Sequence, residues 1–443
     1  MWDRVKGVKV KQVVSFLLVY EMMDFIIQDT GVGVDAFTTF NSSQQGFYND
    51  LVAWSLRLGV ALSGNWAAIG LWGDAAPCSK KDSLFLLVWH FLCGDHSRNR
   101  VYFCAFTKQT LCRCGCQGRC TFDDIFTVLV WCMQVLLIGV HPEKDHLDRP
   151  LVDTDPVRAA KAGTPLLCRA AALRKFGDWA WNKQVLGLQG WKAEKLTQRI
   201  CWCCNATIGD ICYCYDFSEF SQWRREPLNM PAYWARAAFT AMYVSKLFAI
   251  PGFELSMVRP DWMHCGCLGV VLYLQGHIYW ELFVSLGGVW SNTSKARNAC
   301  MLIMGMMRAM ATHLGVESPI DDLTVTMIKA EKSSPRLKVK AAEARRLLPI
   351  TLAILRNCLP CVNDHELTRA RCVSALVDAY AEMYKWVEKG VSTRRVAHLG
   401  RVFLLNYCEL CKSDPTGTYD AYELYPKFHL FAHVTEIKGV CLD

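Results

Sequence analysis

The sequence predicts an α/β protein: a sheet core, interrupted and followed by a large helical region, with cysteine-rich loops between elements. Three observations carry this. Apolar, β-branched and aromatic runs follow one another at 67–74, 84–89 and 101–107. Apolar residues recur at helical spacing at Ala370, Val373, Leu376, Val377, Tyr380, Met383, Tyr384 and Val387, with Gly390 placed to stop the helix. The 23 cysteines crowd into a few turn-rich segments.

A chain of 443 residues can bury a large core, and its length suggests two or three domains. With 52% hydrophobic and 20% charged residues it is a globular chain and not a disordered one. The charge of +8 permits a nucleic-acid partner without demanding one. No segment reads as a secretory signal, because Glu21 and Asp24 interrupt the first apolar run. The thiols of an intracellular chain read as metal ligands or small core residues rather than disulfides. Stretches 126–140 and 268–290 are apolar, but the first is short for a span and the second contains Gln275, His277 and Glu281. We expect no membrane span.

In chain order, residues 1–66 read as mainly helical, with helices expected over 13–27 and 47–62. The run ending at Asp74, then 83–93 and 101–107, form a meander. Asp74 follows Gly73, a pairing common in turns and also suited to an acid at a strand end. Cys112, Cys114, Cys116 and Cys120 are the densest thiol cluster. Gly115 and Gly118 would let the sulfurs converge on an ion, although the spacing is not that of common zinc modules, and an inert loop fits as well. Thr121 is placed to cap a helix running through Ile138. Residues 142–163 read as a connector. A second apolar approach then ends at Gly177 and Asp178.

Cys201 and Cys204 form a Cys-x2-Cys pair, half of a zinc site. The other half could come from Cys212 and Cys214, or from His264 with Cys265 or Cys267. Trp223, Arg224 and Arg225 close an aromatic-basic stretch suited to stacking on bases and reaching phosphates, or to a half-buried loop. Asp261 and His264 stand three residues apart at the start of a long apolar segment and would share a helix face, where burial requires a mutual bond or a metal. Lys338 and Lys340 belong to a basic patch or a solvated face. His429 and His433, one turn apart, could share a metal, but lack the glutamate of a metalloprotease motif. No internal repeat, P-loop or dinucleotide fingerprint is evident, so no small-molecule cofactor is expected.

Four pieces line up in one order: Gly73-Asp74; Gly177-Asp178 with Cys201-x-x-Cys204 behind it; Asp261-x-x-His264; and Pro426-Lys-x-His429-x-x-x-His433. That order resembles the eukaryotic cut-and-paste transposases of the CACTA-like and neighbouring superfamilies. The segments 112–121 and 338–346 also resemble transposon-derived reading frames of protists. The resemblance implies an RNase H-like mixed sheet over 67–290 and a helical insertion or C-terminal region over 291–443. It implies Asp74 and Asp178 as ligands of Mg²⁺ or Mn²⁺, with Asp261 and His264 supporting and His264 sharing a structural Zn²⁺ with Cys201 and Cys204. DNA as partner, a nuclear location and compatibility with a homo-oligomer follow from the same source. The resemblance places a third acid, a glutamate, after the His-x3-His piece. Only Glu436 follows, three residues after His433, while Glu366, Asp378, Glu382, Glu388 and Glu423 lie upstream. The expectation is a truncated or decayed copy that binds DNA without completing catalysis. Two other classes stay open: a zinc-stabilised nucleic-acid-binding module without catalysis, and a helical scaffold or membrane-associated protein with incidental thiols.

Overall fold

The computed structural model describes residues 2–3, 8–9, 13–79, 82–94, 100–188, 199–240, 243–359, 363–389, 393–413 and 422–436. Gly390 lies outside them. The chain divides into two compact units, one comprising Met1–Gly190 and Pro227–Arg259, the other Trp191–Glu226 and Pro260–Asp443. The cysteine-rich segment after residue 191 therefore belongs with the helical half.

The first unit opens with paired two-residue strands, β1 (Trp2–Asp3) and β2 (Val8–Lys9). Three helices follow: α1 (Val19–Thr30), the single turn α2 (Asp35–Thr38) and α3 (Gln45–Leu58). α1 begins later than its apolar run, and Val19, Tyr20, Met23 and Ile27 form its buried face. Next come β3 (Trp66–Pro77), β4 (Ser83–Phe91) and β5 (Arg100–Thr107), the expected meander, paired antiparallel throughout. α4 (Arg119–Ile138) then carries the chain across to β6 (Arg169–Phe176), past the short turns α5 (Leu151–Thr154) and α6 (Pro156–Ala159). β6 pairs parallel with β3, giving a four-stranded mixed sheet in the order β5-β4-β3-β6. A parallel neighbour needs such a crossover, which a hairpin cannot supply.

β6 is buried along nearly its whole length, including Arg174 and Lys175. Both cations are answered: Arg174 pairs with Asp50 of α3, and Lys175 bonds the Phe176 carbonyl and Asn182 of α7 (Trp179–Leu186). Asp178 caps α7, its Oδ1 accepting the Trp181 N–H at 2.6 Å. Of the next two helices, α8 (Gln222–Arg225) belongs to the second unit and α9 (Met230–Thr240) to the first.

The second unit is helical. A π-type segment, Met263–Val270, leads into α10 (Val271–Ser285), followed by α11 (Thr293–His313), α12 (Val325–Ile328), α13 (Ala341–Asn357), α14 (Asp364–Lys389), α15 (Thr393–Lys412) and α16 (Pro426–Glu436). On α14, Val373, Leu376, Tyr380 and Met383 are buried as their spacing requires. Buried polar residues of α10 reach neighbouring helices. Gln275 and Tyr279 bond Thr351 of α13, and Glu281 takes His365 and Arg369 of α14. Arg119–Ile138 and Met263–Ser285 are long and apolar enough to cross a membrane, yet 61% and 83% of their apolar windows are buried inside the protein. Their apolar faces serve as core.

Candidate metal centre

Cys201 and Cys204 lie on a tight buried loop of the second unit, and α16 presents His429 and His433 from successive turns. All four donor atoms fall within 4.8 Å of one another. Cys204 Sγ is 3.3 Å from each imidazole Nε2, and the two Nε2 atoms are 3.2 Å apart. A tetrahedral ion with ligands at 2.0–2.3 Å requires donor separations of roughly 3.3–3.8 Å, so the spacing fits zinc. His429 Nδ1 contacts the Cys214 carbonyl at 2.9 Å, an oxygen that can only accept. That fixes the tautomer and leaves the Nε2 lone pair facing the other donors. Two imidazole nitrogens aimed at each other in a buried site need a proton or a cation between them.

The thiols are polarised to match. Burial opposes ionisation of Cys201, yet hydrogen bonds from Cys203 and Cys204, with the imidazoles nearby, hold it well below the usual thiol range. Burial and the neighbouring Cys201 push Cys204 strongly upward. A metal bound here would displace the thiol protons. Trp223 packs edge-on to both imidazoles, with ring centroids 4.6 and 5.0 Å away. Arg224 lies over the Trp223 ring and forks onto Glu436, with Nε 3.1 Å from each carboxylate oxygen, which ties the end of α16 to α8. The Cys-x2-Cys and His-x3-His halves are the usual zinc-finger spacings, but 225 residues separate Cys204 from His429, and only the fold joins them.

Several expected partners of this centre are placed elsewhere. His264 does not complete it: Nδ1 lies 3.0 Å from both oxygens of Asp261, whose side chain is buried. The dyad braces the start of the π-type segment, where Asp261 Oδ1 also accepts the His264 N–H. Cys265 is buried, and Cys267 contacts the Tyr380 hydroxyl at 3.0 Å. Trp223 is 1% exposed and cannot stack on bases, and Arg224 is held by Glu436; of that trio only Arg225 is exposed. Lys338 and Lys340 are exposed.

A second thiol group lies in the first unit. Cys112, Cys114, Cys116 and Cys120 also bring their sulfurs within 4.8 Å of one another, with Cys114 and Cys120 3.8 Å apart. The loop turns through left-handed backbone at Gly115, Gln117 and Gly118. Its left-handed backbone favours glycine at Gly118, where an added methyl would also crowd Leu111 at 3.1 Å. Thr121 does not cap α4; Gly118 stands at that position, and the threonine hydroxyl accepts the Cys112 N–H, locking the loop. Burial opposes ionisation of Cys116, but hydrogen bonds from Cys120 and Cys114 draw it down to about 7. Both groups, the four-thiol loop and the tetrad of two thiols and two imidazoles, could hold a metal ion such as zinc.

The acids are arranged differently. Trp72 of β3 pairs with Phe176 of β6, so Asp74 and Asp178 stand two residues further along adjacent parallel chains. A methyl on Gly177 would come within 2.8 Å of the Gly73 carbonyl, so the backbones touch at this level. Each carboxylate gives one oxygen to local backbone, Asp74 to the Ala75 N–H at 2.7 Å and Asp178 to Trp181. Both also act on Lys175, which burial pulls down to about 7 against the opposing pull of Asp178 and Asp74. Lys175 and Asn182 are not legible as site residues in the sequence, since a lysine in an apolar strand carries no spacing signal. A scan against protein-family models matches none, and a search of curated proteins gives no match either.

Proposed function

We propose that this chain is a transposase-like DNA-binding protein, with an RNase H-like first unit and a second unit braced by zinc. The observation that carries the reading is that Asp74 of β3 and Asp178, two residues past the end of the parallel strand β6, follow the last β3–β6 pair at the same distance in a sheet ordered β5-β4-β3-β6. Two divalent ions in such a site would activate a water or 3′-hydroxyl and stabilise the leaving oxygen. Here the Asp74 and Asp178 carboxylates would hold Mg²⁺ or Mn²⁺ through the oxygens not committed to backbone. Lys175, buried nearby with its Nζ on the Phe176 carbonyl and Asn182, adds a positive charge that would oppose cations at these carboxylates. That favours a second reading, DNA binding without turnover, over efficient phosphoryl transfer.

The test uses purified chain with DNA duplexes carrying nicks or flanking repeats, in the presence of Mn²⁺. Binding that falls steeply with salt, without cleavage, is expected. Metal-dependent cleavage abolished by Asp178→Ala would show that the catalytic site is complete. Failure to bind DNA even at low salt would refute the reading as a whole.

A further inference from the structure

The second unit contains an open cleft of about 840 Å³ that the metal centres do not use, within the size range of ligand sites. Its walls carry Arg336, Lys338, Lys340 and Lys427, against a single acid among the described lining residues, Glu343. Glu343 is engaged locally: its Oε2 accepts the Lys340 N–H at 2.7 Å, closing the first turn of α13. The same end of α13 opens on the cleft and adds the partial positive charge of a 17-residue helix N-terminus.

Backbone hydrogen bonds hold the segment that carries Arg336 and Lys338. The Arg336, Leu337 and Lys338 N–H groups donate to Ile328, Leu272 and Met327 carbonyls at 3.0, 2.9 and 2.7 Å. Gly276 of α10 lets this strand of loop approach so closely that an added methyl would lie 2.5 Å from Arg336 Cα. Across the cleft, Gly269 breaks the π-type segment with φ −107° and ψ −109°. The Leu268 carbonyl beside it receives both Lys427 Nζ at 3.0 Å and Arg336 Nη2 at 3.3 Å. Two positive charges thus converge on one neutral carbonyl oxygen at the wall of the cleft. Lys338 and Lys340 stand exposed at the rim. Four cations lining the cleft with one committed carboxylate suit a ligand with more than one negative charge, and an arginine fork beside lysines suits phosphate oxygens.

We infer that this cleft is a phosphate-ester site, filled by backbone phosphates of a nucleic acid. The nucleic-acid source rests on the function proposed above; the phosphate chemistry does not. The assay is fluorescence anisotropy of the full chain with a labelled oligo-dT of about 20 nucleotides across a salt series, with inorganic pyrophosphate titrated separately by calorimetry. Lys338→Ala with Lys340→Ala is compared with Lys295→Ala with Arg297→Ala, exposed residues on α11 outside the cleft. Each phosphate contact on a single strand contributes about 0.7 to the salt slope. The cleft variant should therefore lose about tenfold or more in DNA affinity and lower the slope by about 1.4, while the α11 variant changes little. Equal effects of the two variants on both probes would overturn the inference and leave the DNA-binding reading standing. Pyrophosphate binding lost in the cleft variant, with no DNA bound by the unmodified chain, would sustain the phosphate site, assign it to a free phosphorylated ligand and refute the DNA reading. Absence of binding to either probe would overturn both.

Discussion

Replacing Cys204 with serine removes the sulfur that lies 3.3 Å from both His429 Nε2 and His433 Nε2. The remaining Cys201, His429 and His433 are three donors for an ion that takes four in structural sites. If zinc is present at about a thousand times its dissociation constant, its binding contributes about 4 kcal/mol to stability. Without the ion the imidazole nitrogens still face each other across 3.2 Å in a buried site. For a unit of about 150–250 residues, each kcal/mol moves the melting temperature by roughly 2–4 °C, so the second unit should melt roughly 8–16 °C lower. Elemental analysis with parallel calorimetry reads this directly. Cys204→Ser should lose one equivalent of zinc and the stability with it, whereas Cys116→Ser should lose a separate equivalent from the thiol loop of the first unit. Full zinc stoichiometry in Cys204→Ser, or an unchanged melting temperature after chelation of the unmodified chain, would refute the assignment of the tetrad.

Two further outcomes follow from buried charge. Burial, with Arg100 nearby, lowers His90 to about 4, so between that value and about 6.5 the unfolded chain binds the proton and the folded one does not. Stability should fall by up to about 3 kcal/mol as pH drops through this window. Urea midpoints measured against pH should show a slope about one proton smaller in His90→Phe, and identical slopes would count against it. In the second unit, Arg369→Met leaves Glu281, 4% exposed, without its guanidinium partner and with the His365 imidazole at 3.0 Å. Breaking a buried pair in this way costs about 3–5 kcal/mol, and a loss under about 1 kcal/mol by denaturant titration would show that the charge is not structurally required.

Local pattern revealed much of the architecture. The three meander strands, α4 and the buried stripe of α14 follow from residue type and period, because each is stabilised mainly by its own amphipathic face. Register and pairing between distant segments were not legible. That β6 lies beside β3 depends on a crossover, and its arginine and lysine argue against burial until Asp50 and Asn182 are seen to answer them. Thr121 is a reasonable cap by type, but its hydroxyl is drawn to Cys112 by a loop that sequence alone does not close. The tetrad was half visible on each side. His264 is the nearer candidate in sequence, but Asp261 claims its Nδ1. Trp223 shows the same limit: an aromatic next to arginines fits a nucleic-acid surface as well as it fits a wall against two imidazoles.

The separation of the two halves of the tetrad also sets an order of events during synthesis. Cys204 leaves the ribosome 225 residues before His429. At about 5–20 residues per second the interval is roughly 11–45 s. Throughout it Cys201 and Cys204 can hold a metal only without the two imidazoles that complete the tetrad, exposed to exchange and oxidation. The first unit contains its whole four-thiol loop between Cys112 and Cys120, and can close it almost as soon as it emerges. The two clusters therefore differ in timing: one can seed an early unit, while the other seals a late one.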